Sequence, residues 1–394
     1  MSAHEKPALP ALEPALPSSW YRSERIWAAE KERIFCREWL CVGREEGLAD
    51  EPGAHRLLDV LGESIILARN RERALRAFYN TCRHRGSRLC RDPASAGAVP
   101  HLAGGLRAGR ITYPYHQWSY DLDGRLLGAP HMAGVAGFDK TQFGLYPVGV
   151  ALWGGFIFLN LTPSSALPLP QQLGPIPARI ARYPLAELRI GHSIRYEVAA
   201  NWKVLCENYN ECYHCAGVHP ELCEVVPAFG ERGGAGLDWL RGIPHRTGAY
   251  TFTRSGTSRR RPFPTLSQEE RVRHKGELVY PNLFLSLACD HVAAFVLQPR
   301  GPAATSIDCH FLFESDEIAQ PGFDPLDTVE FWDLVNRQDW RAVESVQRSL
   351  ESPKFTPGPL GPSEDAVYQF VTMVAAGYLG QPLVPGSVER RSMR

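Results

Sequence analysis

The stretch NWKVLCENYNECYHCAGVHP, residues 201–220, concentrates three side chains that can bind a metal or transfer a proton: Glu211, His214 and His219. On an ideal helix Glu211 and His214 lie about 60° apart and share a face. His214 and His219 are five residues apart, about 140° around the same helix, so they cannot reach one ion unless the helix ends between them.

The sequence supplies a reason for the helix to end there. Gly217 weakens a helix, and Pro220 biases His219 away from the α region. Both imidazoles can then point at one ion, although two unrelated histidines near a helix end would also explain this stretch by itself. A Cys-x-x-Cys spacing at Cys212 and Cys215 leaves a zinc site as a further alternative.

The composition is that of an ordinary globular protein. The chain has 394 residues, of which 44% are hydrophobic and 22% charged, and its 43 basic residues balance 43 acidic ones. We therefore expect no nucleic acid or anionic membrane as a partner. No long apolar run and no basic start before an apolar core occur, so we predict neither a membrane span nor a secretory signal. Ten cysteines then indicate a reducing compartment, the cytoplasm.

Hydrophobic periodicity divides the chain into three parts. Residues 1–44 are predicted to be an N-terminal extension and a helix that packs on the domain formed by residues 163–394, since apolar residues recur at helical spacing up to residue 44. Residues 45–162 show short strands typical of a small all-β domain. Residues 163–394 alternate strands and helices, which predicts an antiparallel sheet with helices on one side and an α+β protein overall.

Two loops of the β segment carry thiol and imidazole groups. Cys82 and His84 form a Cys-x-His pair, and His116 follows on a later loop. Two hairpin tips with such ligands can build one metal site, while Tyr113 occupies the position at which a fourth ligand is expected. Scattered surface residues and a zinc site formed by the three ligands and a water remain open alternatives.

A predicted long helix, residues 326–350, places Asp339 within an apolar stripe. A buried carboxylate needs a cation, several donors or a metal, and Arg337 and Arg341 lie on other faces of the helix. A salt bridge elsewhere would satisfy it, but two histidines and one carboxylate on one face of an iron leave positions open for oxygen and substrate. The apolar members of the predicted stripe are Trp332, Val335, Val343, Val346 and Leu350.

Five motifs follow one another in a fixed order. They are CRHRGSRLC at 82–90, YPYHQWSYDLDGRL at 113–126, NWKVLCENYNECYH with HP within 201–220, YPNLFLSL at 280–287, and FWDLVNRQDWRAVESVQRSL at 331–350. In this order they resemble the Rieske non-heme iron oxygenases of the aromatic ring-hydroxylating type, specifically the large (α) catalytic subunit. The resemblance implies an N-terminal all-β Rieske [2Fe-2S] domain and a helix-grip catalytic domain with an antiparallel sheet.

The resemblance also implies two metal cofactors. Cys82 would bind one iron of the [2Fe-2S] cluster, and His84 and His116 the other. The ligands of a mononuclear Fe(II) would be His214, His219 and Asp339.

The same resemblance implies an electron path and partners. Glu211 would link the cluster of a neighbouring subunit to the iron, because cluster and iron of one chain are too far apart in this family, whose members commonly form ring-shaped homotrimers. The expected partners are O2, a small-molecule substrate and a separate reductase or ferredoxin. The expected reaction is hydroxylation or dealkylation of a small aromatic or alkylated-amine substrate.

Two positions depart from the family pattern. Glu211 replaces the more common Asp and resembles the subgroup that acts on quaternary ammonium compounds. Tyr113 stands where the family has its second cluster cysteine, and a phenolate is a harder ligand than a thiolate. Three outcomes are open: Cys90 substitutes, Tyr113 binds iron, or the cluster does not assemble and the chain is a non-catalytic or heteromeric partner subunit.

The substrate is expected to lie against strands within residues 282–295. The side chains predicted to line its pocket are Phe284, Leu287, His291 and Phe295.

Overall fold

The computed structural model describes residues 13–90, 105–107, 109–112, 115–361 and 363–379. These residues form two compact units, which are considered separately. Trp39–Ala166 is called the β unit, and Met1–Glu38 together with Leu167–Arg394 is called the sheet–helix unit. In the described ranges, no helix has the length and apolar character needed to cross a membrane.

The N-terminal segment of the sheet–helix unit is helical only up to Phe35. Strand β1 (Glu13–Pro14) precedes helices α1 (Ser19–Arg22) and α2 (Glu24–Glu30), and a π-helical turn over Lys31–Phe35 continues α2. The prediction of a helix up to residue 44 is wrong for β2 (Leu40–Arg44), which is a strand of the β unit. Periodicity alone misassigns this segment because its pairing with a distant strand decides its conformation.

The β unit consists of antiparallel strands in two sheets. The six-stranded sheet has the order β2-β11-β10-β5-β4-β3, and the four-stranded sheet has the order β6-β7-β8-β9. Their shared core includes Ile66, Phe78 and Trp118. In chain order the remaining strands are β3 (His55–Val60), β4 (Glu63–Arg69), β5 (Leu75–Tyr79), β6 (Gly105–Arg107), β7 (Arg110–Thr112), β8 (Ser119–Tyr120), β9 (Leu126–Gly128), β10 (Pro147–Trp153) and β11 (Phe156–Asn160).

The sheet–helix unit is built on one antiparallel sheet of six strands, in the order β12-β17-β16-β15-β14-β13. Its strands are β12 (Leu188–Val198), β13 (Ile243–Pro244), β14 (Arg273–Val279), β15 (Leu283–Leu287), β16 (Val292–Gly301) and β17 (Ala304–Glu314). Its further helices are α3 (Leu169–Leu173), α4 (Ile176–Arg179), α5 (Trp202–Tyr209), α6 (Cys215–Val218), α7 (Pro220–Val225), α8 (Ser315–Ile318), α9 (Leu326–Ser349) and α10 (Asp365–Tyr378). A short strand, β18 (Pro359–Leu360), pairs with β1.

One face of this sheet packs against α5 and α9. The ring of Tyr209 on α5 stacks on Phe284 of β15 at 4.3 Å between centroids. Trp332 on α9 packs against Phe295 of β16, with 6.2 Å between the ring centroids. Phe284 and Phe295 are paired across the two strands and therefore share this face. Leu287 is three residues from Phe284 in an uninterrupted register, so it lies on the opposite face, and its predicted place in the pocket is wrong.

Buried charges attach the N-terminal helices to α5. Lys203 and Glu30 are both fully buried, with 2.6 Å between Nζ and Oε1. The indole of Trp202 donates to the other oxygen of Glu30 at 3.1 Å, and Tyr21 donates to Glu207 at 2.7 Å. Because each charge has a partner, the segment that leads to residues 210–220 starts from a tightly held helix.

Helix α9 carries the predicted apolar stripe with one exception. Trp332, Val335 and Val343 are buried, but Val346 is 47% exposed. Gln347, about 100° further around the helix, takes the buried position. Its side-chain oxygen accepts a hydrogen bond from the backbone N–H of Asn201 at 2.9 Å, so a polar residue at this point of the stripe joins α9 to the start of α5.

Candidate metal centre

The chain changes direction between α5 and α7. Asn201 begins α5 by accepting a hydrogen bond from the N–H of Lys203 at 2.9 Å. The helix ends at Tyr209, earlier than the spacing of Glu211 and His214 would suggest, so both side chains lie in the turn before α6. His219 separates α6 from α7 in a non-helical conformation with φ of −123°. The break predicted around Gly217 and Pro220 is therefore more extensive in the structure.

Three predicted ligands meet at this break. The ligand atoms of His214, His219 and Asp339 all lie within 4.8 Å of one another. Nε2 of His219 is 2.9 Å from Oδ1 of Asp339, and Nε2 of His214 is 3.3 Å from the same oxygen. No other set of three His, Cys, Asp or Glu side chains in the described part of the chain is as close.

The donor set fits a divalent transition metal. Two ligands that bind one ion at about 2.1 Å and at right angles are about 3 Å apart, close to the distances between these nitrogens and the Asp339 oxygen. Two imidazoles and one carboxylate are the ligands that non-heme Fe(II) uses in oxygenases. The two histidines come from the turns between α5 and α7, and Asp339 comes from α9, which is far away in sequence. Together the three side chains can bind one face of a single ion.

The pKa values of Asp339 and His214 show how strongly these two side chains interact. Burial would raise the pKa of Asp339, but the hydrogen bonds from His214 and His219 outweigh it and lower the value to about 2. Burial would lower the pKa of His214, but Asp339 and Glu211 outweigh it and raise the value to about 11. A metal at this site competes with protons for the imidazole nitrogens, so binding releases them.

Each imidazole has a further partner on its other nitrogen. Nδ1 of His214 lies 2.5 Å from Oε1 of Glu211, whose Oε2 accepts a hydrogen bond from the N–H of His214 at 3.1 Å. Nδ1 of His219 lies 2.8 Å from Oε1 of Gln338, which in turn donates through Nε2 to Glu221 at 2.9 Å. These contacts leave both Nε2 atoms directed at Asp339.

Sequence reasoning missed three of the surrounding residues. They are Gln338, Glu221 and Asn208, whose amide lies 3.3 Å from Nε2 of His214. Gln338 directly precedes the ligand Asp339 and Glu221 follows His219 by two residues, but polar residues at such positions are common, and Asn208 is six residues from His214.

The two cluster loops bring the predicted histidines together. The rings of His84 and His116 are 4.3 Å apart between centroids and nearly perpendicular, and His84 stacks on Trp118 at 5.0 Å. Cys82 is buried, with Sγ 3.5 Å from the hydroxyl of Tyr120. Cys82, His84 and His116 are of the donor types that a Rieske cluster uses, and they supply three of its four ligands. Tyr113, at the fourth ligand position, lies outside the described residues.

Cys90 is poorly suited to replace the missing thiolate. Its N–H donates to Oδ1 of Asn80 at 2.9 Å, and its carbonyl accepts from Nδ2 of the same residue at 2.7 Å. The side chain is 2% exposed, and burial raises the pKa of the thiol to about 12. A move toward the cluster loops would break both hydrogen bonds and expose a core residue.

The chain matches two family models. Residues 38–139 match the Rieske [2Fe-2S] domain, and residues 185–380 match the catalytic domain of the ring hydroxylating alpha subunit.

Curated relatives match over most of their length. The carnitine monooxygenase oxygenase subunit of Acinetobacter baumannii is 31% identical over 341 residues, which cover 85% of each chain. The glycine betaine monooxygenase oxygenase subunit of Chromohalobacter salexigens is 29% identical over 386 residues, 88% of this chain and 81% of the relative.

A solved structure shows the same fold. The quaternary ammonium Rieske monooxygenase CntA in complex with γ-butyrobetaine superposes with a TM-score of 0.70 at 26% identity, covering 93% of this chain and 96% of that one. The predicted α+β class, with an all-β Rieske domain and a catalytic domain on an antiparallel sheet, is confirmed. The Rieske non-heme iron oxygenases use O2 and electrons from a separate reductase. The chain belongs to this family and is an oxygenase α subunit with a [2Fe-2S] domain and a mononuclear iron domain.

Proposed function

We propose that this oxygenase is a monooxygenase that acts on a quaternary ammonium compound and hydroxylates or dealkylates it. The observation that carries the proposal is the agreement among relatives named for glycine betaine, carnitine and choline, all of which carry a trimethylammonium group. Glu211, which replaces the more common Asp of the wider family, agrees with this subgroup.

The aromatic side chains on the helix-covered face of the sheet support a cationic substrate. Tyr209, Phe284, Phe295 and Trp332 lie between the sheet and the two helices that flank the metal centre. Aromatic faces attract quaternary ammonium groups because the ring quadrupole is negative above the plane. Tyr209 and Phe284 stack on each other, so Phe295 and Trp332, which meet edge to face, are the rings that would orient a methyl group, while Asp339 and Glu211 add negative charge.

Each of the two cofactors has its own proposed set of ligands. His214, His219 and Asp339 would hold the iron, and Cys82, His84 and His116 would hold the cluster. When bound, the iron supplies oxygen activation and the cluster supplies electrons. Glu211 holds His214 through Nδ1 and through its backbone N–H, so it orients the ligand from the side opposite to Asp339.

We also propose a homotrimer in which Glu211 connects the iron to the cluster of a neighbouring subunit. Inter-subunit electron transfer is described for a solved quaternary ammonium Rieske monooxygenase that oxidises carnitine and is 25% identical to this chain. In this chain His84 and Tyr115 are exposed, so the cluster loops offer a surface for a partner.

The domain limits proposed are 1–44, 45–162 and 163–394. The ion pair of Glu30 with Lys203 supports a role of the N-terminal helices in the catalytic domain, while β2 shifts the start of the β domain toward Trp39.

Ten free cysteines support a reducing, cytoplasmic location.

A second candidate function follows from Tyr113. If a phenolate cannot complete the cluster, the chain supplies the mononuclear site to a mixed oligomer whose other subunit carries the cluster. Counts of iron and acid-labile sulfide in protein purified without oxygen distinguish this partner subunit from a complete oxygenase.

Substrate-dependent oxygen uptake tests the leading proposal. The purified protein, with a compatible reductase, is assayed with glycine betaine, carnitine, choline and, as an uncharged aromatic control, naphthalene. We expect uptake and a hydroxylated or demethylated product with at least one trimethylammonium compound. Turnover of naphthalene alone would contradict the proposal. Calorimetric binding of the same four compounds gives an answer that does not depend on the cluster.

A further inference from the structure

The two histidines of the metal centre have unlike partners on their outer nitrogens. His214 contacts the carboxylate of Glu211 directly, with 2.5 Å between Nδ1 and Oε1. His219 contacts an uncharged amide, Oε1 of Gln338, at 2.8 Å. The nearest carboxylate behind that amide is Glu221, which accepts from Nε2 of Gln338 at 2.9 Å. A chain of two hydrogen bonds therefore starts at His219 and ends on a carboxylate.

The chemistry of these groups permits only one arrangement. An ionised carboxylate accepts hydrogen bonds and cannot donate them, so the NH2 of the Gln338 amide must face Glu221. The carbonyl oxygen of the same amide then faces His219, whose Nδ1 must carry the proton. Nε2 of His219 lies 2.9 Å from Asp339 and donates its proton to that carboxylate when no metal is bound; a metal would displace this proton and bind the Nε2 lone pair, while Nδ1 keeps its own proton.

Because His219 is buried, water cannot easily replace Gln338 as the partner of its Nδ1. His219 is 1% exposed, and the side chain of Glu221 is 24% exposed at the outer end of the chain. Arg254 lies 3.6 Å from the other oxygen of Glu221 and is 66% exposed, so the chain reaches from the metal centre to the surface. Gln338 is the residue before Asp339, which places the amide and the carboxylate ligand on one turn of α9.

We propose that Gln338 and Glu221 are positioning residues for the metal: Glu221 fixes the orientation of the Gln338 amide, and the amide fixes His219 in the form that binds through Nε2. This inference rests on the metal site proposed above. It assigns to Glu221 a role that its distance from the ligand atoms would not suggest.

The proposal predicts what happens when one link is lost. Without an acceptor at position 221, the amide of Gln338 can rotate and offer its NH2 to Nδ1 of His219. That contact would move the imidazole proton to Nε2, where it competes with the metal. Without an amide at position 338, Nδ1 has no partner in a buried position, and the ring loses both its orientation and its tautomer preference.

Cobalt binding tests these consequences without the cluster or turnover. Metal-free protein is titrated with Co2+, followed by visible absorption, and the signal that remains in Asp339→Ala is subtracted. We expect Gln338→Leu to weaken Co2+ binding by about 10- to 100-fold, the usual cost of losing an outer partner of a ligand. Glu221→Gln should weaken it less, because an amide at this position permits both orientations of Gln338.

An exchange of the two side chains provides the decisive variant. In the double variant Glu221→Gln with Gln338→Glu, the new carboxylate accepts from His219 and the new amide donates to it, so one orientation is again enforced. We expect Co2+ affinity within about threefold of the wild type, well above that of Gln338→Leu, given the size of the outer-partner effect. Glu330→Gln changes the charge of α9 by the same amount as Glu221→Gln changes that of α7, and it should leave binding unchanged.

A tautomer measurement separates positioning from packing. Nitrogen NMR of isotope-labelled histidine in the Zn2+-loaded protein should show a proton on Nδ1 of His219 in the wild type and in the exchanged variant. Wild-type affinity in Gln338→Leu, or an exchanged variant as weak as Gln338→Leu, would overturn the inference. Wild-type Co2+ binding in Asp339→Ala would instead refute the metal site itself, so the two failures are distinguishable.

Discussion

The candidate iron site and the cluster loops differ in where their ligands lie and in what holds them. His219 is almost completely buried, and each imidazole of the iron site has a hydrogen-bond partner on its outer nitrogen. In the β unit Cys82 is buried but His84 is exposed, and the fourth ligand position is Tyr113. The candidate iron site thus brings its three proposed ligands together, whereas the proposed cluster site has Tyr113 where the family pattern has a cysteine.

We expect the two sites to respond differently to mutation. A ligand held by outer partners in a packed interior is positioned by several residues, so replacing one of them weakens the site by degrees. A ligand on a loop tip depends on its own chemistry, because few neighbours can compensate for a change of donor atom. We therefore expect the largest effects where a ligand itself changes.

Removal of Asp339 tests the iron site most severely. Asp339→Ala deletes the oxygen that both Nε2 atoms approach, at 2.9 Å and 3.3 Å. We expect loss of mononuclear iron and a fall in turnover of more than about 100-fold, beyond the effect of an outer partner. Metal analysis of protein purified without oxygen measures it, with Glu330→Ala on the same helix as a control. Full iron content in Asp339→Ala would show that the ligands are elsewhere.

Restoration of a thiolate tests the proposed cluster site. Tyr113→Cys supplies the donor that the cluster pattern lacks, and soft thiolate suits iron–sulfur clusters. We expect acid-labile sulfide and the low-temperature EPR signal of a Rieske cluster to rise several-fold relative to the starting protein. Tyr115→Cys, two residues away and exposed, is the matched control. An unchanged sulfide content would mean that Tyr113 does not limit cluster assembly.

Loss of a buried charge should affect the unit that carries the iron site. Lys203→Met leaves Glu30 unpaired in an apolar interior and should destabilise the sheet–helix unit by about 3–5 kcal/mol. Thermal and denaturant unfolding measures the change. The double variant Lys203→Met with Glu30→Gln should recover a large part of it, because the unpaired charge is then absent. Equal stability of the single variant and the wild type would contradict the burial seen here.

The smallest effect is expected at Cys90. Since its backbone is bound to Asn80 and burial raises the pKa of its thiol to about 12, Cys90→Ala should leave cluster content within about twofold of the parent and cost about 1 kcal/mol of stability. Sulfide content and absorption spectra measure the first, and thermal unfolding the second. A folded Cys90→Ala protein that has lost its cluster iron would show that Cys90 is a ligand after all.

The order of the motifs was sufficient for the resemblance that predicted the family, and periodicity was sufficient to predict an all-β part followed by a part with strands and helices, because both are local properties of the chain. The same local rules misassigned Leu40–Arg44, Val346 and Leu287. Each of these depends on a partner: a strand that is distant in sequence, the way a helix end packs, or the face of a sheet that helices cover. Local periodicity contains no information about such partners.

Residue types and their spacing were enough to identify the candidate metal ligands: two histidines around a helix break, a carboxylate on a helical stripe, and two loops in which a tyrosine stands at one ligand position. The packing of distant segments brings Asp339 within 4.8 Å of His214 and His219 and places Gln338 and Glu221 behind His219. The reason is physical. Donor chemistry belongs to the side chain, but convergence on one ion depends on how the turns after α5 and helix α9 pack over the same face of the sheet.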